Sequence, residues 1–157
     1  MKFIVDTYKD IWQYFWQQQL VYIPEEHSFY MDSVVNKIEF EVIVNKISLA
    51  VSDNIVVNVS GFCGLSKSMK SNYQVPEYKK GCLRVEHNLN YGFAYGINDD
   101  DDYEYPVYVN VQSGWVCIGN PEKKGNAVEF INNCVAVIDN DKEFVSLWLK
   151  PESLPEI

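Results

Sequence analysis

The chain has 157 residues, of which 47% are hydrophobic, 15% aromatic and 22% charged. This length suits a single domain over residues 1–157, because a division would leave two marginal cores, and the apolar content excludes a disordered chain. The 22 acidic and 13 basic side chains give a formal net charge of -9. A surface this negative repels a phosphate backbone, which argues against nucleic-acid binding, and it favours encounter with a basic partner.

The N-terminus and the cysteines predict a cytoplasmic protein. The first six residues contain too short an apolar stretch for a secretory signal, and no apolar run approaches the roughly 18 residues of a membrane-spanning helix. We therefore expect no membrane association. The four cysteines are widely spaced and form no C-x-x-C pair, so we expect reduced, structural thiols. They are Cys63, Cys82, Cys117 and Cys134. The sequence leaves the oligomeric state open.

One helix is predicted near the N-terminus, over residues 6–19. Polar side chains recur there at helical spacing, and aromatic and aliphatic side chains occupy the opposite side. The apolar side consists of Tyr8, Ile11, Trp12, Phe15 and Trp16. Asp6 or Thr7 can cap the helix, and Pro24 prevents it from running much further. We expect its apolar side to pack on a sheet. The sequence also leaves open a second short helix within residues 25–37, around residues 31–37.

Beyond residue 37 the hydrophobic period changes to two, which is typical of half-buried strands. Strands are predicted at residues 38–44, 47–51, 55–59, 82–87, 91–97, 105–111, 115–118, 127–131, 134–138 and 143–149. Short polar turns at residues 45–46, 52–54 and 139–142 indicate antiparallel hairpins. Residues 66–80 carry four lysines and read as a long exposed loop.

The expected fold class is therefore α+β. It consists of mainly antiparallel β structure with about nine or ten strands and one N-terminal amphipathic helix. A sandwich or a strongly bent sheet accommodates that many strands better than one open sheet.

No motif in the chain predicts catalysis or a bound cofactor. His27 and His87 are sixty residues apart and have no cysteine within four positions, so the ligand spacing of a zinc site is missing. Contiguous aspartates lack the alternation and the glycine of a calcium loop. The sequence contains neither a nucleophile elbow nor a phosphate-binding loop. A pair formed by Cys63 or Cys82 with His87 remains an alternative for an enzyme.

The most unusual feature is the acidic run, residues 99–104, in which five of six side chains are carboxylates. Tyrosines flank it on both sides. Tyrosines offer rigid contact area with a polar tip, and carboxylates accelerate association with a cationic partner. We therefore predict a docking surface for a basic protein. It is formed by Asp99, Asp100, Asp101, Asp102, Tyr103, Glu104 and Tyr105.

Three C-terminal segments resemble small bacterial immunity proteins, which neutralise polymorphic or contact-dependent toxins. They are Ser-Gly-Trp-Val-Cys-Ile-Gly at residues 113–119, Ala-Val-Glu-Phe-Ile at residues 127–131 and Leu-Trp-Leu-Lys-Pro at residues 147–151. The resemblance covers about the last third of the chain and maps no binding residue. It implies a cytoplasmic, non-enzymatic, acidic protein that blocks a toxin domain by direct occlusion.

The leading functional hypothesis is thus an immunity protein for a basic toxin, for example a nuclease domain. Two alternatives from other classes stay open. One is a small enzyme that uses carboxylates or a Cys–His pair, and the other is a carbohydrate-binding or structural β module that uses exposed aromatic side chains. Turnover lost on one cysteine or histidine substitution would favour the enzyme. Binding to glycans would favour the module.

Overall fold

A computed structural model describes residues 1–7, 18–33, 35, 37–86, 90–98 and 103–157. These residues form an all-β fold of two mixed sheets, one of which curls into a half-barrel. The strands are β1 (Phe3–Asp6), β2 (Val21–Ile23), β3 (Ser28–Tyr30), β4 (Phe40–Val44), β5 (Ile47–Ser52), β6 (Ile55–Phe62), β7 (Met69–Lys70), β8 (Lys79–Lys80), β9 (Cys82–Val85), β10 (Ala94–Gly96), β11 (Val107–Val109), β12 (Val116–Gly119), β13 (Asn126–Ile131), β14 (Cys134–Ile138) and β15 (Phe144–Leu149). Two single 3-10 turns lie at Pro24–Glu26 and Leu65–Lys67.

The first sheet has the strand order β1-β9-β6-β5-β4-β10, and the β2–β3 hairpin joins it through β6. Its centre is the predicted antiparallel meander of β4, β5 and β6. The turns between these strands place Asn45, Asp53 and Asn54 at positive φ, a conformation that short polar side chains tolerate. Alternation along β4 buries every second side chain, as the sequence predicted.

The second sheet has the strand order β7-β11-β12-β15-β14-β13-β8. Its strands β12, β14 and β15 are buried along nearly their whole length, because apolar clusters cover both faces of this sheet. The larger cluster combines side chains of both sheets, including Phe3, Val59 and Leu147. The smaller one covers the other face around Trp115 and Trp148.

The prediction of an α+β fold with an N-terminal helix is wrong. Asp6, the proposed cap, ends strand β1 and forms an ion pair with Arg84 at 3.1 Å, while residues 18–20 have no helical structure. The middle of the predicted helix, residues 8–17, lies outside the described residues. The alternative helix at residues 31–37 is also absent from the part of that segment that is described, namely residues 31–33, 35 and 37.

The predicted exposed loop at residues 66–80 also needs correction. Two short strands lie within it, and β7 pairs with β11 while β8 pairs with β13. Both pairs are parallel, as is the pair of β10 with β4, so the sheets are mixed rather than purely antiparallel. Each of these pairs joins strands that are distant in the sequence.

The four cysteines are unbridged and buried, which confirms the prediction of free structural thiols. In the part of the chain that is described, no helix has the length and apolarity that a membrane crossing requires.

Candidate functional site

Two cavities lie beside the extended segment 103–107, which leads from the acidic run into β11. We call one the tyrosine groove and the other the His27 cavity, and each has a volume of about 480 Å³. Side chains alternate along an extended chain, and accordingly Tyr103 lines only the tyrosine groove while Glu104 lines only the His27 cavity. Tyr105 and Pro106 contribute to both. This short segment therefore belongs to two surfaces at once.

Four tyrosines converge on the tyrosine groove. Its lining consists of Tyr73, Tyr103, Tyr105, Pro106, Tyr108, Gly119, Asn120, Pro121, Glu122, Lys123, Phe144 and Val145. The rings of Tyr73 and Tyr108 pack edge to face at 5.2 Å, and those of Tyr103 and Tyr105 do so at 5.7 Å. The Tyr73 hydroxyl donates to a Glu122 carboxylate oxygen at 2.9 Å, which raises the pKa of that phenol. The groove thus offers rigid aromatic surface and a polar rim.

Asn45 and Asn98 fix the two ends of the acidic run. The side-chain amide of Asn98 donates to the Tyr103 carbonyl at 2.9 Å and to the Asn45 side-chain oxygen at 3.0 Å. Asn45 in turn accepts the Tyr105 N–H at 2.8 Å and donates to the Tyr105 carbonyl at 3.0 Å. Asn98 also accepts the Asn45 backbone N–H at 3.0 Å. The acidic run therefore enters and leaves at a defined point beside the groove.

The predicted docking residues divide into three groups. Asp99, Asp100, Asp101 and Asp102 lie outside the described residues. Tyr103 is 49% exposed and packs on Tyr105, which is partly buried against Phe144. Glu104 is exposed but faces the His27 cavity instead of the groove. The structure therefore brings the two tyrosines together and separates Glu104 from them.

Sequence reasoning missed several groove residues. Tyr73 lies in the segment that was interpreted as a solvated loop, and Phe144 begins a distant strand. They meet through the pairing of β7 with β11 and of β12 with β15, which no local pattern indicates. Asn45 lines the His27 cavity, was predicted only as a turn residue, and reaches Tyr105 through hydrogen bonds.

The His27 cavity brings together chemical groups that the sequence did not pair. Its lining includes His27, Lys46, Cys63, Lys67 and Glu104. The Cys63 N–H donates to the His27 carbonyl at 2.8 Å, so the chain holds these two residues side by side. His87, the histidine that the sequence suggested as a partner for Cys63 or Cys82, lies outside the described residues.

The thiols of Cys63 and Cys82, the two that the sequence suggested as nucleophiles, are poor nucleophiles. Burial, with a contribution from the negative charge of Glu104, raises the pKa of Cys63 to about 12. Burial also raises the pKa of Cys82. Both thiols are therefore protonated near neutral pH. Because the thiolate is the reactive form, this disfavours a Cys–His mechanism. Within the described ranges, no group of three or more His, Cys, Asp or Glu side chains is arranged to hold a metal ion.

The chain matches no family model, and no curated protein is significantly similar to it in sequence. The resemblance to immunity proteins therefore remains a prediction.

Proposed function

We propose that this protein is a non-enzymatic cytoplasmic binding protein that takes a basic protein partner on the tyrosine groove and the adjoining acidic run. In its most specific form, it is an immunity protein that occludes a basic toxin domain such as a nuclease. One observation carries the proposal. Four tyrosines line one groove, and Asn45 and Asn98 bond two of them, Tyr103 and Tyr105, which follow a run of four aspartates in the sequence.

The carboxylates and the tyrosines of this face have different roles in binding. Charges act over several ångströms, so the carboxylates of the acidic run speed the encounter with a cation and select the partner by charge. Tyrosines that are held in place by ring contacts lose little freedom on binding and supply contact area. Tyr103 is the best candidate for an anchor, since it is half-exposed and its ring is already supported by Tyr105.

The first test replaces Asp99, Asp100, Asp101 and Asp102 by asparagine. The probe is any basic toxin domain that a gene adjacent to that of this protein encodes, and both rate constants are measured by surface plasmon resonance at low and high salt. We expect the association rate at low salt to fall on the order of tenfold and to lose most of its salt dependence, with little change in the dissociation rate.

The matched control removes four negative charges elsewhere, by Glu25→Gln, Glu26→Gln, Glu152→Gln and Glu156→Gln. These side chains do not line the groove. An equal fall in the association rate for this control would assign the effect to net charge and would overturn the docking role of the acidic run. The absence of an adjacent toxin gene, or of binding to the toxin domain that such a gene encodes, would overturn the immunity function.

The second test is Tyr103→Ala, with Tyr30→Ala as the control. Tyr30 is similarly exposed, at 45%, but lies outside the groove. We expect Tyr103→Ala to raise the dissociation rate about tenfold and to leave the association rate nearly unchanged, because an anchor acts after the encounter. Equal effects of the two variants would contradict an anchor in the groove.

The tyrosine groove also favours carbohydrate binding as a second candidate, because aromatic rings pack against the apolar faces of sugars. A glycan ligand has no need of the aspartates. Glycan-array binding that survives the four asparagine substitutions but is lost in Tyr103→Ala would therefore favour this function over protein binding.

A further inference from the structure

Most ends of the two sheets are protected against strand addition. The second sheet ends in β7 and β8, which have two residues each and carry exposed lysines. Short strands and lysines are the usual protection of a sheet edge. At one end of the first sheet, the Phe3 N–H of β1 donates to the Lys142 carbonyl at 2.8 Å. Beside β2, Leu20 accepts the Glu152 N–H at 2.9 Å.

The other end of the first sheet, β10, is also short, with three residues, but unlike β7 and β8 it carries no lysine. Its sequence is Ala94-Tyr95-Gly96, which contains no charge, and its only described strand partner is β4. Ala94 and Gly96 are both exposed, and a Cβ atom at Gly96 would meet nothing within 4 Å. Among the residues that the structure describes, none pairs with the outer side of β10 as a strand.

The hydrogen bonds to β4 fix which backbone groups face outward. The Glu41 N–H donates to the Phe93 carbonyl at 3.0 Å, and the Ile97 N–H donates to the Ile43 carbonyl at 3.0 Å. Because N–H and C=O groups alternate in direction along an extended chain, those of Ala94 and Gly96 point away from β4. They form one half of an incomplete ladder.

We infer that the β10 edge accepts an extended, lysine- or arginine-bearing segment of the basic partner as an added strand. The inference rests on the proposed function and names how that partner is held. Main-chain hydrogen bonds to Ala94 and Gly96 supply part of the affinity, and side-chain contacts supply the selectivity.

The charges and the exposed aromatic side chains around the edge define the added strand. Glu41 lies opposite Ala94 in the register and is exposed, and the acidic run begins three residues after Gly96. One cation, Lys37, lies over the ring of Tyr91 at 5.9 Å. The net charge around this edge is therefore negative, which favours an added strand that carries basic residues.

Exposed aromatic side chains lie just before the strand. Tyr91 is 67% exposed and Phe93 is 61% exposed, and the Phe93 ring packs beside Tyr95 at 6.3 Å. They offer apolar contact to the alternate side chains of an added strand. A segment that alternates basic and β-branched residues fits both features.

The probe is a blocked peptide of seven alternating lysine and valine residues. Binding is followed through the backbone amide signals of the full chain by NMR. We expect shifts and slowed hydrogen exchange at Ala94 and Gly96. A copy of the peptide that is N-methylated at two adjacent central residues keeps the charge but loses the central hydrogen-bond donor on each of its edges and carries a methyl group in its place. We expect it to leave these two amides unaffected.

The variant Ala94→Pro removes the outward N–H at an edge position where proline is tolerated. Its control, Ala94→Val, keeps that N–H and adds a β-branched side chain. We expect Ala94→Pro to weaken peptide binding about tenfold, which corresponds to one net hydrogen bond, and Ala94→Val to leave it unchanged. Equal affinity of the two variants, or equal binding of the N-methylated peptide, would overturn the inference.

The same spectra separate this inference from the proposed function. Shifts at Tyr103 and Tyr108 without shifts at Ala94 and Gly96 would overturn strand addition and support the groove. The reverse pattern would support strand addition, while the measurements with the toxin domain test the groove separately. Absence of any shift would overturn strand addition. The N-methylated peptide tests strand addition in the native sequence, so the inference stays falsifiable even where Ala94→Pro unfolds the chain.

Discussion

Cys63 is an example of how the surroundings of one residue set its chemistry. It lines the His27 cavity with 8% of its surface exposed, and Glu104 adds a negative charge nearby. Both effects disfavour the thiolate. With a pKa of about 12, on the order of one thiol in ten thousand is ionised at pH 8, whereas an ordinary cysteine is ionised to about a quarter.

We predict that Cys63 reacts with Ellman's reagent at pH 8 at least about a hundredfold more slowly in the folded protein than in denaturant. Its reaction rate should keep rising with pH towards 12. Mass spectrometry of the labelled peptides identifies the site. Glu104→Gln should accelerate labelling, because it removes the charge that opposes the thiolate. Rapid labelling of native Cys63 that levels off near pH 9 would contradict the burial argument.

Asn45 shows what residue-level reasoning from sequence can and cannot reach. Asn45-Lys46 was predicted as a turn, and the positive φ of 55° at Asn45 confirms it. The same side chain also bonds both backbone groups of Tyr105, sixty positions further on. Turn chemistry is local and readable. A hydrogen bond across sixty residues depends on the tertiary fold, so the anchored end of the acidic run was not predictable.

At the scale of elements, Gly61 in β6 occupies a position that other residues fit poorly. Its φ is 130°, and a Cβ atom there would lie 2.5 Å from the Lys46 carbonyl oxygen and 3.0 Å from the Ile47 Cα atom. Both obstacles are backbone atoms of the neighbouring part of the sheet, so neither can rotate away. Only glycine allows β6 to pair this closely with β5 beside the His27 cavity.

Gly61→Ala should therefore lower the free energy of unfolding by about 2–4 kcal/mol. Chemical denaturation monitored by circular dichroism measures the change. Gly96→Ala is the matched control, since its backbone is not at positive φ and its Cβ atom would meet nothing within 4 Å. We expect that variant to stay within about 0.5 kcal/mol of the parent chain. Similar losses for both variants would show that the close approach at Gly61 is not the cause.

Strands of ordinary length were predictable, and very short or parallel ones were not. Alternation located β4, whereas apolar runs between short polar turns located β5, β6 and the hairpin of β14 and β15, in which most side chains are buried. The two residues of β7 or β8 carry no period. At Asp6, the local pattern predicted the start of a helix. The burial of Phe3 and the ion pair of Asp6 with Arg84 instead stabilise strand β1 there, and both interactions depend on the tertiary fold.

At the scale of the whole molecule, one apolar cluster includes side chains of both sheets. Leu49 in β5 and Leu147 in β15 both belong to it and are nearly inaccessible. A cluster shared in this way couples the stability of the two sheets, as expected for the single domain that the chain length predicts. The candidate function was predictable only in part. Charge and composition indicated the class of partner, whereas the groove forms only when both sheets are assembled.

Leu49→Ala in the first sheet should destabilise both sheets together, by roughly 2–5 kcal/mol. Thiol labelling in increasing denaturant checks this, because Cys82 reports on the first sheet and Cys117 on the second. Both midpoints should shift by the same amount. Val111→Ala, at a site that is 54% exposed, should move neither. A shift at Cys82 alone would mean that the sheets unfold independently and would contradict a single domain.

The position of β1 has a consequence for synthesis on the ribosome. β1 comprises residues 3–6, yet its ladder partner β9 begins at Cys82, and the outward Phe3 N–H donates to the Lys142 carbonyl. β1 is therefore made well before its partner and waits, unpaired, until β9 has emerged. Folding that depends on such distant pairs is slow, typically milliseconds to seconds, and leaves apolar strands exposed meanwhile. The interval between the synthesis of β1 and that of β9 is thus the period in which this chain most needs a chaperone.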